Sequence, residues 1–385
     1  MTSVLANIIA TTIQKAPQQA ITFAEFMEMV LYHPELGYYS SGQVEIGKQG
    51  DFFTASSLGS DFGELLANQL LQMQTILKIK PFQIVEMGAG KGHLAKDILD
   101  YIQQQHPEQS QNFEYIILEK SPALKQAQQD LLQTITDIKI RWCDWSELAD
   151  QSIKGCFLSN ELLDAFPVHK VTVQNSTLKE LYVTHSIEKN SLFQEMPGKL
   201  SRSEIQTYFD NLGIDIWSYP EGFQTEVNLQ MLDWLKQVQS KLNQGFILTI
   251  DYGYPATKYY HPQRYQGTLQ CYFQHRHHNN PFVNLGQQDI TAHVDFTTLQ
   301  KQGEMLGLQT LGLTQQGMFL MALGLGDRLN DLSQNPTDVM TLLKRREALH
   351  QLIDPMGLGG FYVLLQAKNL DENQAQIPLQ GLSYS

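Results

Sequence analysis

Apolar positions recur at helical spacing over residues 5–15 and again over 23–32, where Thr22 and Glu25 stand at the spacing of a capping box. The chain therefore opens on a small helical segment. Residues 33–54 follow, with Gly37, Gly42, Gly47 and Gly50 set among tyrosines, and predict a long loop ahead of a helix over 61–77. Then the period changes. Residues 82–87 form a short apolar run, glycines follow, and 93–105 returns to helical spacing, which reads as strand, tight turn and helix. A strand over 113–118, a helix over 122–132 and strands over 138–142 and 155–159 continue the alternation, which implies a parallel sheet.

Beyond this point the pattern breaks. Residues 168–173 and 178–184 alternate and lie close together, predicting an antiparallel pair outside the parallel run. A helix over 226–242 leads into a strand over 246–250, so the core order resumes after an insertion covering 175–225. Residues 254–293 are polar and aromatic without a clear period and read as an ordered substrate-side loop. Asp295 is placed to cap a helix running to Leu306, residues 337–352 predict another helix, and 361–367 a last strand that closes the sheet. The expected fold class is α/β with a mainly parallel sheet. A domain over 61–385 carries insertions at 175–225 and 254–293, behind N-terminal helices and a covering loop over 1–60. No internal repeat is present.

Composition adds exclusions. With 42% hydrophobic and 17% charged residues in 385, the chain has enough apolar content to fold by itself. A formal charge of −13 repels phosphates and anionic surfaces, so no nucleic acid and no membrane insertion are expected, and a cationic partner fits better. Cys143, Cys156 and Cys271 form no CxxC pair and read as reduced structural thiols. His275, His277, His278 and His293 lack the paired cysteines or the HExxH spacing of a zinc site, so no metal is expected. No apolar run reaches the roughly 18 to 20 residues of a membrane helix. The first arginine is Arg141 and no basic start precedes an apolar block, which sets a cytoplasmic location as the expectation. A homodimer is compatible with all of this and required by none of it.

The candidate chemistry centres on Ile84-Val85-Glu86-Met87-Gly88-Ala89-Gly90-Lys91-Gly92. Glycines at a strand end let the backbone turn sharply and approach a ligand. The dinucleotide fingerprint wants glycine or alanine where His93 stands, and a phosphate-binding loop wants Ser or Thr where Gly92 follows Lys91, so both signatures fail. The remaining Glu-x-Gly-x-Gly-x-Gly pattern resembles motif I of Rossmann-like methyltransferases. That resemblance makes Glu86, Gly88, Gly90 and Gly92 cofactor residues for S-adenosyl-L-methionine. Glu119, at the end of the next strand, takes both ribose hydroxyls in this reading. Asp144 is either an adenine contact or a helix cap.

Further strings carry a more specific resemblance: His33-Pro34-Glu35-Leu36-Gly37-Tyr38-Tyr39, Gly50-Asp51-Phe52-Phe53-Thr54-Ala55, 159–167 from Ser159 to Pro167, Asp251-Tyr252-Gly253-Tyr254, and 289–296 from Asp289 to Phe296. In this order they resemble the MidA-like methyltransferases, a family related to the mitochondrial complex I assembly-factor methyltransferase. The match departs at Ser56-Ser57, where the family more often shows Pro-Glu. The resemblance implies a Rossmann-like core with a mainly parallel seven-stranded sheet, and methylation of an arginine on a partner protein, which for the mitochondrial relatives is a complex I subunit.

Guanidinium is planar and charged, so carboxylates beside the cofactor would hold it. Glu161 and Asp164, three apart after the fourth strand and so expected on one helical face, are the catalytic candidates; helix-start charges are the alternative. Asn160 would contact the cofactor or cap that helix, and Asp51 and Thr54 sit on the loop that would cover it. His293 and Tyr252 are candidates on the substrate side, with Tyr254, Tyr259 and Tyr260 as further aromatics. A non-catalytic assembly factor, an NAD-dependent oxidoreductase, and a methyltransferase acting on a small molecule or RNA are the competing functions.

Overall fold

The computed structural model describes residues 4–40, 54–187, 192–274, 276–334 and 338–383. Its main sheet has seven strands: β1 (Phe82–Met87), β2 (Phe113–Leu118), β3 (Lys139–Cys143), β4 (Ile153–Asn160), β5 (Leu242–Asp251), β6 (Gln309–Gln315) and β7 (Tyr362–Lys368). They lie in the order β3-β2-β1-β4-β5-β7-β6, parallel except for β7, which pairs antiparallel with both β5 and β6. The mainly parallel, seven-stranded sheet that the family resemblance implies is thus present.

The period-2 alternation of β1 divides two apolar layers. Phe82 and Ile84 point into a core with the helices Asp61–Leu77 and His93–Gln105, while Val85 and Met87 face Leu229–Lys241 and Phe296–Met305. The helix His93–Gln105 buries Leu94, Ala95, Ile98, Leu99 and Ile102, one stripe at helical spacing. Asn228 and Asp295 cap the two helices of the second layer with their side-chain carboxamide and carboxylate.

Gly155 and Gly245 sit in one transverse row of the sheet, in register with Gln83. A Cβ on Gly155 would lie 2.0 Å from the Gln83 carbonyl oxygen, and one on Gly245 would lie 1.9 Å from that of Gly155. Both contacts are with backbone, which cannot yield without disturbing three strands. Gly155→Ala is expected to lower stability by at least about 2 kcal/mol, read as the shift of the denaturant midpoint. An unchanged midpoint would contradict this packing.

The inserted elements build a second sheet from His169–Gln174, Thr177–His185, Phe193–Gly198 and Gln224–Val227, with Ala20–Thr22 of the N-terminal segment as its edge. The insertion therefore runs from His169 to Val227, wider than 175–225, and the following helix starts at Leu229 because Gln224–Val227 is a strand. Leu5, Ile9, Ile13, Phe23 and Phe26 share an apolar cluster with Val183, Phe193 and Ile290, so the N-terminal helices pack on the inserted parts. The predicted capping box is formed: Glu25 N–H donates to Thr22 Oγ1, and Glu25 Oε2 accepts from Thr22 N–H.

The 254–293 stretch is more ordered than its lack of period suggests. It contains a three-stranded antiparallel sheet of Gln270–Phe273, Arg276–His278 and Asp289–Thr291. These strands are too short and too polar to show alternation. Periodicity also leaves β6 and the helices Gln316–Ala322 and Leu325–Gln334 unread; β6 is an edge strand with glutamines at both ends and a register shift between Thr310 and Gly312.

Candidate active site

Over the carboxyl ends of β1, β4 and β5 lies a cavity of about 1290 Å³, walled also by residues from the N-terminal segment and the 254–293 insertion. That exceeds the few hundred to about 1,000 Å³ of an ordinary small-molecule site, leaving room for a cofactor and an acceptor side chain.

One end is built by the glycine turn. Gly88, Gly90 and Gly92 have φ of 71°, 51° and 88°, left-handed values that side chains disfavour. Gly88, Ala89 and Gly90 line the cavity. Gly92 stands behind them as the first residue before the helix, where a Cβ would come 3.2 Å from Gln128 Cγ, so its small size serves packing. Glu86 is 2% exposed and accepts from the Tyr115 hydroxyl at 2.9 Å; burial pushes its carboxyl up to about 7. Glu119 accepts from Ser121 N–H at 2.8 Å and from Gln128 Nε2 at 3.1 Å, and burial raises its pKa.

Gln128 ties these parts together. Its Nε2 also donates to the Gly90 carbonyl at 2.7 Å, and its Oε1 accepts from the Trp142 indole at 2.9 Å. It is fully buried, and the sequence reading missed it; a glutamine on the inner face of the helix Pro122–Leu132 was the available signal. Thr54 is on the wall with Oγ1 3.2 Å from Ser56 Oγ. Asp144 is off the wall: exposed, it begins the short turn Trp145–Glu147, and its N–H donates to Glu147 Oε2 at 2.7 Å. Asp51 lies outside the described residues.

At the other end, β4 stops at Asn160 and Glu161 takes a left-handed φ of 51°. No helix follows, which corrects the expectation that Glu161 and Asp164 share a helical face or start a helix. A carboxylate makes the turn instead. Asp251 Oδ2, at the end of β5, accepts from the N–H groups of Leu162, Leu163 and Asp164 at 3.2, 2.9 and 3.4 Å. Asn228 Nδ2 holds the Leu163 carbonyl at 3.0 Å. The bonds to Asp251 and Asn228 hold the chain in this turn, which places a side-chain-bearing residue in a conformation it otherwise disfavours.

The turn projects both acids into the cavity. Glu161 Oε1 accepts from Ala55 N–H at 3.3 Å and from Asn160 Nδ2 at 3.1 Å; burial, then the neighbouring Asp164, pushes its carboxyl up to about 8. Asp164 is 5% exposed and its Oδ1 has no partner; burial raises it to about 6. Asn160 Oδ1 is likewise buried and unpartnered.

Asp289, missed as a site residue, lines the same end and accepts from the Tyr39 hydroxyl at 2.8 Å. Tyr32 and Tyr39 stack with centroids 5.4 Å apart, and Tyr252 and Tyr272 complete the wall. His293 meets the Tyr252 ring edge-on at 4.9 Å. Burial, then Arg264 and Lys258, hold its imidazole down at about 4, so it is neutral and serves as an aromatic wall. Tyr259 and Tyr260 are buried beneath, bonded to Glu226, and take no part.

The sheet order, with a glycine turn after its first strand, an acid after its second and a further acid turn after its fourth, defines a Rossmann-like S-adenosylmethionine-dependent methyltransferase. A family model for such methyltransferases matches residues 65–314, and the chain belongs to that family. A Burkholderia thailandensis structure bound to S-adenosyl-homocysteine is 31% identical and superposes with a TM-score of 0.87, covering 99% of this chain and 95% of that one. Mitochondrial relatives named protein arginine methyltransferases match too: the Drosophila melanogaster protein at 29% identity over 81% of this chain and 73% of its own. The human protein matches at 27% over 92% and 82%. The cofactor is S-adenosylmethionine. The glycine turn, the oriented Glu119 and the unpartnered Asn160 Oδ1 on the cavity wall suit a ligand with ribose hydroxyls and an amino-acid tail.

Proposed function

We propose that this methyltransferase transfers its methyl group to an arginine side chain of a partner protein. The observation that carries the reading is the acceptor end of the cavity: Glu161 and Asp164, with no lysine or arginine paired to them among the described residues, stand with Asp289 among tyrosine rings. Such a pocket suits a flat cation, which takes charge-assisted hydrogen bonds at its edge and ring faces above and below. The names of the mitochondrial relatives point the same way. A subunit of a complex I-like NADH dehydrogenase is the partner that the family resemblance suggests.

When bound, the cofactor supplies an electrophilic methyl group. Glu161 holds the guanidinium so that charge concentrates on the nitrogens it bonds, leaving the third as nucleophile. That nitrogen must shed one proton as its bond to carbon forms, and Asp164, with an unpartnered oxygen, receives it. The tyrosine walls exclude water and fix the plane of the group.

This reading has a pH signature. The pKa of Glu161 is raised, so the free protein keeps this acid protonated and neutral below about 8, and a cation binds the ionised form better. Arginine affinity therefore falls as pH drops below that value. In steady-state methyl transfer to an arginine peptide, kcat/KM is expected to rise with pH up to a plateau beyond about 8. A profile flat from roughly pH 6 to roughly pH 9 would contradict the role given to Glu161.

A further inference from the structure

A chain of rings leads from the acceptor pocket to a basic corner. Tyr252 borders Asp164, His293 packs on Tyr252, and Tyr254 stacks on His293 at 5.0 Å and 21°. Over the Tyr254 ring lie two cations, Lys258 Nζ at 4.1 Å and Arg264 Cζ at 4.4 Å. Arg264 Nε donates to the Lys258 carbonyl at 3.4 Å, which helps hold the pair together. Lys258 lines the main cavity and also a second, adjoining cavity of about 530 Å³, walled by Thr257, His261, Gln263 and Arg264.

Among the described residues neither cation has a carboxylate within 4 Å, although the whole chain carries a formal charge of −13. No acid lines the second cavity. Two positive groups fixed over one ring beside an acidic pocket present alternating charge to anything lying across both. Steps of 4.9, 5.0 and 4.1 Å lead from the Tyr252 ring by way of His293 and Tyr254 to Lys258 Nζ, so the corner lies within roughly 14 Å of that ring, and an extended peptide advancing roughly 3.3 Å per residue covers this in roughly two to four residues.

We propose that Lys258 and Arg264 form a subsite for an aspartate or glutamate of the protein substrate, placed roughly two to four residues from the methylated arginine. The inference deepens the arginine reading above and rests on it. The subsite selects among arginines: a target flanked by an acid satisfies both ends of the cavity, whereas one flanked by lysine sets like charges together.

The test is fluorescence anisotropy with dye-labelled glycine-rich peptides, each with one arginine and with aspartate, alanine or lysine two, three or four residues away on either side, with S-adenosylhomocysteine present. At the best spacing the aspartate peptide is expected to bind about five- to tenfold tighter than its alanine counterpart, less so at high salt. The preference should vanish in Lys258→Gln/Arg264→Gln and turn toward the lysine peptide in Lys258→Glu/Arg264→Glu. Retained affinity for S-adenosylhomocysteine checks that these variants are folded. Equal affinity for aspartate and alanine peptides at every spacing, or a preference unchanged in the variants, overturns the subsite. Methyl transfer to the same peptides is read separately: transfer without acid preference refutes only the subsite, and acid preference without methylated arginine refutes only the arginine reading.

Discussion

Glu161→Gln is expected to lower kcat for methyl transfer by about 10²- to 10⁴-fold while S-adenosylhomocysteine still binds. Glutamine keeps the volume and can still accept from Ala55 N–H, so the turn set by Asp251 survives. What disappears is the negative charge that holds and polarises a guanidinium. The split between cofactor affinity and turnover, measured by calorimetry and initial rates on one preparation, separates this from a folding defect. Unchanged turnover would place the chemistry elsewhere in the cavity.

Gly90→Val is expected to weaken cofactor binding by at least about 100-fold. Gly90 has a φ of 51°, which costs roughly 1–2 kcal/mol for a side-chain-bearing residue and more for a β-branched one. The new side chain would stand on the cavity wall, and any relief by backbone movement would pull the Gly90 carbonyl off Gln128, which also orients Glu119. Gly90→Ala carries a smaller part of both effects and guards against outright unfolding. Calorimetry with S-adenosylmethionine and S-adenosylhomocysteine checks both variants, and near-native affinity in folded Gly90→Val would refute the turn as the cofactor cradle.

Much of the core was legible because its signals are local. The run 82–87, the glycines and the stripe from Leu94 to Ile102 each fix an element without reference to distant residues, and the helices Asp61–Leu77, His93–Gln105 and Pro122–Leu132 have the expected bounds. Glu119, Glu161 and Asp164, which line the cavity, were legible from their place after strands. The shape of the turn that carries two of them was not, because it depends on Asp251, nearly ninety residues away in sequence, accepting three consecutive N–H groups. Gln128 and Asp289 escaped for the same reason: their partners Gly90, Trp142 and Tyr39 are brought to them by tertiary packing. The short strands of the 254–293 segment give too few residues to show a period, and their polar character reflects the cavity they line.

The most direct test of the central claim is to incubate the protein with isotopically labelled S-adenosylmethionine and an arginine-containing protein extract, then map the label by mass spectrometry, with Glu161→Gln in parallel. Label is expected on guanidinium nitrogens of arginine with the native protein and little or none with the variant. Label on lysine, a carboxylate, RNA or a small molecule, or arginine methylation undiminished in the variant, would contradict it.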